Sequence, residues 1–334
     1  MSEKPFKTIE EQIQILKRRN LIIANEESAR IVLQRYGYYE VINGYKNHFM
    51  ISNDDEDGFK PGITFEHIAR LQQFDRSIRF SVINSLELFE ENLRQAVAYV
   101  ISKNISDKQD IYIHRKNYNT GHKYTKYVKG HPKEVWPIDD TIRLMKKVIQ
   151  SDKQPVKHYR DRYANVPPWI LVKELSFGSL IWLFQLLKKR EKSEVLSIMF
   201  DWDVALVDSV MEKAQLKKWF HELMLLYLSY RNTASHGGRM YNHSTKKYEL
   251  SYNGVMSKLI GVTAEDYKAG KGRSRVGVVL ESLRLFSDQR ARIELEVGIQ
   301  IAIDDYLKTY PDDASYLSKQ MEYEIPKEFN GTNQ

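Results

Sequence analysis

One uninterrupted stretch of the sequence decides what kind of fold this chain can adopt. The 40 residues from Thr64 to Lys103 contain no glycine and no proline, the two residues that most often break a helix. Apolar residues recur along the stretch at every third or fourth position, which places them on one face of an α-helix. They are Leu71, Phe74, Ile78, Val82, Leu86, Phe89, Leu93, Val97 and Val100. A single helix of this length would extend roughly 60 Å.

The rest of the chain has the same helical character. Glycine and proline together make up about 7% of its 334 residues, 16 glycines and 9 prolines, which is well below the usual ~12%. This low fraction argues against a turn-rich all-β protein. Thr8 and Glu11 have the spacing of a capping box at the start of one helix. Asn25 is placed to cap a second helix that stops at Gly37, and another long helix is predicted over residues 204–230.

The sequence therefore predicts an all-α fold with long helices, an N-terminal helical extension and a C-terminal helical region. We expect an N-terminal helical region over residues 1–52 and a helical core over residues 64–250. A basic loop at residues 104–135 interrupts this core. A C-terminal helical region over residues 251–325 and a polar tail over residues 326–334 complete the predicted organisation.

Composition excludes several functional classes. The chain has no cysteine, which rules out a disulfide scaffold, thiolate zinc sites, Fe–S clusters and a cysteine nucleophile. No apolar run approaches the ~18 residues that a membrane span needs, and the N-terminus lacks the apolar core of a signal peptide, so we expect a cytoplasmic protein. The net charge of +7 favours a polyanionic partner without requiring one.

A short motif follows the predicted helix at residues 204–230. It reads Arg231-Asn232-Thr233-Ala234-Ser235-His236, and none of the other histidines has an arginine five residues before it. Arginine binds phosphate oxygens, and histidine transfers protons near neutral pH. Asn232 and His236 share a face if the helix continues, whereas Arg231 and His236 lie about 140° apart, so two facing copies could aim both groups at one atom. Spacing alone favours a simpler interpretation, a buried histidine at a helix end beside surface arginines.

The motif and three further blocks resemble a known family. Arg231-Asn232-x-x-x-His236 resembles the signature of HEPN-type ribonucleases, and the chain as a whole is similar to abortive-infection (Abi) proteins of the AbiD/AbiF kind. The matching blocks are Glu11-Gln12-Ile13-x-x-Leu16 with residues 30–44, Leu86-Glu87-Leu88-Phe89-Glu90-Glu91-Asn92-Leu93-Arg94, Pro168-Trp169-Ile170-Leu171-Val172-x-Glu174-Leu175-Ser176-Phe177-Gly178, and Arg231-Asn232-x-x-x-His236-Gly237-Gly238-Arg239-x-Tyr241-Asn242. The chain has Ser235 where relatives often carry alanine, and the region after Tyr252 matches less clearly.

The resemblance implies a HEPN-type helical bundle that cleaves RNA through the ribose 2′-OH without a metal or cofactor. It implies a homodimer that acts in bacterial phage defence by abortive infection or as the toxin of a toxin–antitoxin system. In this interpretation His236 is the general acid or base, Arg231 neutralises the developing phosphorane charge, and Asn232 orients His236 or the phosphate. Arg94, Glu91 and Arg239 are candidate supporting residues. RNA is the implied substrate, and a noncoding RNA or another antitoxin is the implied partner.

Two basic segments are candidates for RNA binding. Residues 112–133 contain no acidic residue and alternate tyrosines with cations, a combination that single-stranded RNA binding uses. We expect an exposed loop with room for a short hairpin. Residues 268–275 form a second basic, glycine-spaced segment. The candidate contacts are Arg115, Lys116, Lys123, Tyr124, Lys126, Tyr127, Lys129, Lys271, Arg273 and Arg275. A solvated linker is an equally good interpretation of either segment.

Two other functions remain open at this point. The protein could be a catalytically idle scaffold that holds a noncoding RNA, or a protein-interaction module that binds no RNA. Composition favours RNA over the latter. Cleavage of RNA by the purified protein, and its dependence on His236, distinguishes an enzyme from a scaffold.

Overall fold

The computed structural model describes residues 5–52, 54, 56–213 and 215–326, and helices dominate these residues. The helices are α1 (Ile9–Arg18), α2 (Glu26–Tyr36), α3 (Phe65–Asn104), α4 (Gln109–Tyr112), α5 (Pro137–Ile149), α6 (Val156–Tyr163), α7 (Pro168–Leu171), α8 (Phe177–Leu186), α9 (Lys189–Phe200), α10 (Val204–Lys213), α11 (Leu216–Ser235), α12 (Met256–Leu259), α13 (Ala264–Lys268), α14 (Val276–Leu283), α15 (Arg290–Leu307) and α16 (Ala314–Met321). Within the same residues the strands β1 (Tyr124–Val128) and β2 (His131–Val135) form a two-stranded sheet. The all-α prediction is confirmed. Residues 327–334 of the predicted tail lie outside the described residues.

The long helix predicted from the apolar pattern is present as α3. It runs without a break for 40 residues. Thr64 precedes it, and the Thr64 Oγ1 accepts a hydrogen bond from the His67 backbone N–H at 3.1 Å, which satisfies one of the free amides at the helix start. The predicted caps of α1 and α2 are also present, because Thr8 and Glu11 form a capping box and Asn25 accepts from the Ser28 N–H.

The chain divides into two compact units, and α3 and α15 each contribute to both. Unit 1 takes its described residues from Met1–Ser81, His236–His243 and Glu296–Gln334, and unit 2 takes its described residues from Val82–Ser235 and Ser244–Leu295. Each unit is therefore assembled from segments that are distant in sequence. Within the described ranges, no helix is both long enough and apolar enough to cross a bilayer.

A buried carboxylate holds the centre of unit 1 together. Asp75 on α3 is fully buried and accepts hydrogen bonds from the backbone N–H groups of Met240 and Tyr241, both at 2.7 Å, and from the Tyr45 hydroxyl at 2.8 Å. Burial raises the pKa of Asp75, while these donors and Arg79, whose Nη2 is 3.3 Å from the carboxylate, act in the opposite direction. The segment His236–His243 is thereby fixed to α3 within unit 1.

Helix α11 lies in the core of unit 2. The Tyr227 ring packs edge-on against Phe89 with 4.8 Å between centroids, and the Tyr227 hydroxyl lies 2.8 Å from the Ser282 hydroxyl on α14. One turn later, the Tyr230 hydroxyl donates to the Ser274 carbonyl at 2.8 Å. Both tyrosines are fully buried, so the C-terminal half of α11 is held rigidly up to the residue before Arg231.

The single helix predicted over residues 204–230 is wrong in one respect. The structure has two helices here, because α10 ends at Lys213 and α11 begins at Leu216. Gln215 has a φ of +49°, a left-handed conformation that no helix can continue through. Neither glycine nor proline marks this break in the sequence.

The basic segment at residues 112–133 is more ordered than the sequence predicts. The predicted hairpin is confirmed: β1 and β2 pair antiparallel with Tyr124 opposite Val135. Lys129 and Gly130 connect them with φ values of +50° and +82°, the signs that a two-residue type I′ turn requires. The prediction of an exposed loop is wrong for Tyr112 and Tyr118, which are buried and cannot stack on a nucleic-acid base.

Candidate active site

The arginine–histidine motif lies at the C-terminal end of α11. Arg231 and Asn232 belong to its last turns, the helix ends at Ser235, and His236 follows in a turn whose next residue, Gly237, has a φ of +79°. Left-handed glycine is the usual helix terminator. The His236 side chain is exposed, so the interpretation of a buried histidine is wrong. Among the described residues its imidazole has no hydrogen bond or ion pair.

A buried glutamate on α3 holds Arg231 within unit 2. The Glu90 carboxylate is 8% exposed, and its Oε2 lies 3.8 Å from the Arg231 Nε. Its other oxygen, Oε1, forms an ion pair with the Arg94 Nη2, and the Arg94 Nη1 donates to the Val172 carbonyl. Glu90 thus lies between two guanidinium groups, paired closely with Arg94 and more loosely with Arg231. The Arg231 side chain remains 40% exposed, and its Nη1 lies 3.3 Å from the Asn232 Oδ1.

Glu90 is not among the supporting residues predicted from the sequence, whereas its neighbour Glu91 is. Glu91 is exposed, whereas Glu90 is buried. The sequence does contain a signal, because at about 100° per residue Glu90 borders the apolar stripe that includes Phe89 and Leu93, whereas Glu91 lies on the opposite side of the helix. An acidic residue on the buried face of a helix is uncommon unless it is paired, and this criterion selects Glu90 over Glu91.

A cleft of about 750 Å³ surrounds Arg231 in unit 2. We call it the arginine cleft. Its lining residues are Ile83, Glu87, Glu90, Glu91, Asn92, Arg94, Gln95, Lys173, Arg231, Ser235 and Arg290. Its volume is within the range of ligand pockets in proteins. Two cations of the cleft form close ion pairs, Arg94 with Glu90 and Arg290 with Asp288. Lys173 has no acidic partner in the described part of the chain. Arg231 and Lys173 are therefore the cations in this cleft best placed to bind an anion.

The remaining supporting candidate, Arg239, has a different local role in unit 1. Its Nη1 donates to the Gly44 carbonyl, and the next two residues, Met240 and Tyr241, donate to Asp75. Arg239 therefore helps to hold the segment His236–His243 in place. Its contribution to chemistry remains a prediction, as does that of Arg94.

Two cations of the basic segment at residues 112–133 are partly neutralised by acids from α5. The Lys126 Nζ lies 3.0 Å from the Asp140 carboxylate, and the Arg115 Nε lies 3.0 Å from that of Asp139. Partial burial disfavours the charged form of Asp140, but hydrogen bonds from Tyr124 and Lys126 outweigh it and lower the pKa of the Asp140 carboxyl. The absence of acids within residues 112–133 thus does not mean an unpaired basic surface.

Other candidate RNA-binding residues in the basic segment at residues 112–133 are more accessible. Lys116 and Lys129 are exposed and have no acidic partner among the described residues. The Tyr127 ring is 73% exposed. The Lys123 Nζ lies over the Trp136 ring, 5.0 Å from its centroid. These groups remain candidates for contact with RNA.

The second basic segment is a packed part of unit 2. The Arg273 guanidinium lies 4.5 Å from the Tyr267 ring centroid and 3.4 Å from the Glu249 carboxylate. Its backbone carbonyl accepts from the Leu250 N–H at 2.9 Å. The alternative of a solvated linker is therefore wrong at Arg273. Lys271 is exposed and Arg275 is half-buried directly before α14, and RNA binding by either remains a prediction. The residues described here contain no group of three or more histidine, cysteine or acidic side chains that could hold a metal.

The fold is all-α, and within unit 2 a buried glutamate lies beside the arginine that begins the arginine–histidine motif. A family model described as Abi-like protein matches residues 31–242, which include Glu90 and the whole motif. The chain therefore belongs to the Abi-like protein family, as the sequence resemblance indicated. Comparison with curated proteins and with solved structures found no match for the chain.

The role of Glu90 in holding Arg231 can be tested by removing its charge. Glu90→Gln leaves Arg94 and Arg231 beside a neutral amide, and we expect the free energy of unfolding to fall by about 2 to 4 kcal/mol, because one partner of a buried ion pair is lost. Glu91→Gln is the matched control, since Glu91 is exposed and such changes usually alter stability by less than about 0.5 kcal/mol. Urea denaturation measures both. Equal losses in the two variants would contradict the assignment.

Proposed function

We propose that this protein is a metal-independent endoribonuclease that acts in bacterial phage defence by abortive infection. The observation that carries the proposal is an exposed histidine directly after a core helix, five residues beyond an arginine that a buried glutamate holds. These are the two groups that RNA cleavage through the 2′-OH requires: a proton carrier and a fixed cation. Membership of the Abi-like family supports the defence role, either as a stand-alone system or as the toxin of a toxin–antitoxin pair.

The proposed chemistry uses only side chains of this protein. The neutral His236 imidazole takes the proton from a ribose 2′-OH, and the 2′-oxygen attacks the adjacent phosphorus. The P–O5′ bond breaks as the protonated His236 imidazole gives this proton to the departing O5′, which leaves a 2′,3′-cyclic phosphate and a 5′-hydroxyl. Acid–base catalysis of this kind contributes ~10²–10⁴-fold to a rate. The Arg231 guanidinium would stabilise the additional negative charge on the phosphoryl oxygens.

We further propose that the active protein is a homodimer. Each chain has one Arg231, in the last turns of α11, and one His236, in the turn that follows it, so a single chain supplies the motif only once. A second copy related by a two-fold axis would present the complementary pair. In this arrangement each phosphate would be bound by Arg231 of one chain and His236 of the other.

The experiment that tests the activity compares three strands of one sequence. Purified protein is incubated with single-stranded RNA, with the same strand in all-deoxy form and with its 2′-O-methyl form. We expect cleavage of the unmodified RNA alone, with cyclic phosphate ends, because only that strand supplies the nucleophile. Cleavage should persist in EDTA, since the acid, base and charge stabilisation all come from side chains. Cleavage of the deoxy strand would contradict the proposal, and RNA that is bound but not cut would favour the idle scaffold instead.

A further inference from the structure

Unit 2 contains a second crevice that shares no lining residue with the arginine cleft. It has a volume of about 440 Å³ and lies where α5, α8 and the start of β1 meet. We call it the Trp182 crevice. The side chains that define it are His122, Tyr124, Thr141, Leu144, Ser179 and Trp182. Its volume suits a ligand the size of one nucleotide.

Trp182 is the most unusual of these side chains. Its neighbours on α8, Ile181 and Leu183, are buried, whereas the Trp182 ring is 52% exposed. No aromatic ring or cation among the described residues stacks on it. Tryptophan combines a large apolar face with a polar N–H, and such side chains are enriched at binding surfaces. An unpartnered indole beside a crevice is a ready stacking surface.

Two further rings flank the crevice, and one of them is fixed. The Tyr124 hydroxyl donates to the Asp140 carboxylate, which limits rotation of the phenol, and the Tyr124 side chain stays 40% exposed. The His122 ring is exposed and has no hydrogen-bond partner within the described residues. Thr141 and Leu144 of α5 contribute to the same lining. The crevice therefore combines three aromatic rings with an aliphatic side chain.

Two cations lie beside the crevice. The Asp140 carboxylate, which is part of the lining, pairs with the Lys126 Nζ at 3.0 Å and with the Arg143 Nη2. The Lys126 and Arg143 side chains nevertheless remain 42% and 64% exposed, and two positive charges against one negative charge leave a net positive charge beside the aromatic rings. Rings that bind bases next to cations that bind phosphates are the combination found in single-stranded nucleic-acid sites.

We propose that the Trp182 crevice binds an unpaired nucleobase, which stacks on Trp182 while its phosphate contacts Lys126 and Arg143. This proposal deepens the proposed function, since it gives the RNA substrate a base-binding contact outside the arginine cleft, and it rests on that function only for the identity of the strand. The base could come from a strand or from a free nucleotide, and the two sources share this chemistry. Binding at the crevice does not require cleavage.

A binding measurement with a strand that lacks the 2′-OH tests the crevice separately from the chemistry. Fluorescein-labelled oligothymidylate is titrated with full-length wild-type protein, Trp182→Ala and Trp169→Ala, and fluorescence anisotropy gives the affinity. Trp169 is the matched control, because it is 40% exposed on α7 and does not line the crevice. We expect Trp182→Ala to bind roughly 5- to 150-fold more weakly and Trp169→Ala to bind as the wild type does. Trp182→Phe should keep most of the affinity, and thermal melting checks that all variants are folded.

An abasic strand of equal length provides the second arm. The wild type should bind the abasic strand as weakly as Trp182→Ala binds oligothymidylate. For the abasic strand, wild type and Trp182→Ala should have the same affinity, because no base is present to stack on Trp182. Thymidine monophosphate that displaces the strand from the wild type would assign the crevice to free nucleotides also, and a failure to displace would assign it to a base within a strand. Equal affinity of wild type and Trp182→Ala for oligothymidylate would overturn the proposal. Base-dependent binding without RNA cleavage would overturn only the proposed function.

Discussion

Replacing His236 with alanine is expected to reduce RNA cleavage by at least ~10²-fold, because the proton carrier for the 2′-OH is lost. The fold should be unaffected, since the His236 side chain is exposed and has no hydrogen bond among the described residues. Single-turnover cleavage rates measure the first effect and thermal unfolding the second. His158→Ala is the control for removing an exposed histidine from the surface, because His158 is exposed on α6 and lies outside the motif. Full activity in His236→Ala would eliminate this residue from the mechanism.

Arg231 variants extend this prediction to the phosphate. Arg231→Ala should also remove cleavage, and Arg231→Lys should recover only part of it, because lysine keeps the charge but cannot bind two phosphate oxygens in a fork. Arg231→Ala leaves Glu90 paired with Arg94 alone, so its effect on unfolding must be measured beside the rate. A loss of activity that follows the loss of folded protein in every variant would show that Arg231 acts only on stability.

Two inactive variants are expected to regain activity when they are mixed. If each site takes Arg231 from one chain and His236 from the other, a dimer of Arg231→Ala with His236→Ala contains one intact site and one doubly altered site. Random exchange makes half of the dimers mixed, so the mixture should reach about a quarter of the wild-type rate. Cleavage is measured against mixing ratio after subunit exchange.

The size of the active species supplies the control for this mixing experiment. Light scattering should give roughly twice the chain mass of 39.4 kDa. No recovery at any ratio, with both variants dimeric and exchanging, would mean that each site lies within one chain. A fully active wild-type monomer would refute the proposed dimer.

Local patterns in the sequence were sufficient to predict much of the fold. The forty-residue helix α3 and the caps at Thr8 and Asn25 follow from spacing and capping rules that nearby residues determine. The break between α10 and α11 does not, because Gln215 adopts a left-handed conformation that its sequence does not favour. Burial of Tyr112 depends on the Val166 carbonyl, which accepts its hydroxyl at 2.6 Å, and that partner is distant in the sequence.

At the candidate site, too, local patterns were readable from the sequence and contacts between distant residues were not. The order Arg231, Asn232, His236 is local and could be read directly, whereas the exposure of His236 could not, since spacing alone favoured a buried histidine. The pairing of Arg231 with Glu90 is a contact between two helices, which no spacing rule predicts. The net charge of the hairpin surface was overestimated for the same reason. Asp140 belongs to α5 and contacts Lys126 only in the folded chain.

The discontinuous make-up of unit 1 has a consequence for synthesis on the ribosome. His236 belongs to this unit, whose final segment starts at Glu296. That segment includes Gly298, which packs so closely on Ser81 of α3 that a Cβ there would overlap the serine hydroxyl. During translation, α3 and the residues around His236 are synthesised before α15, whose C-terminal part completes this unit. Under the proposed function, the unit that contains His236 is complete only late in translation, so the nascent chain would have little opportunity to cut the message that encodes it.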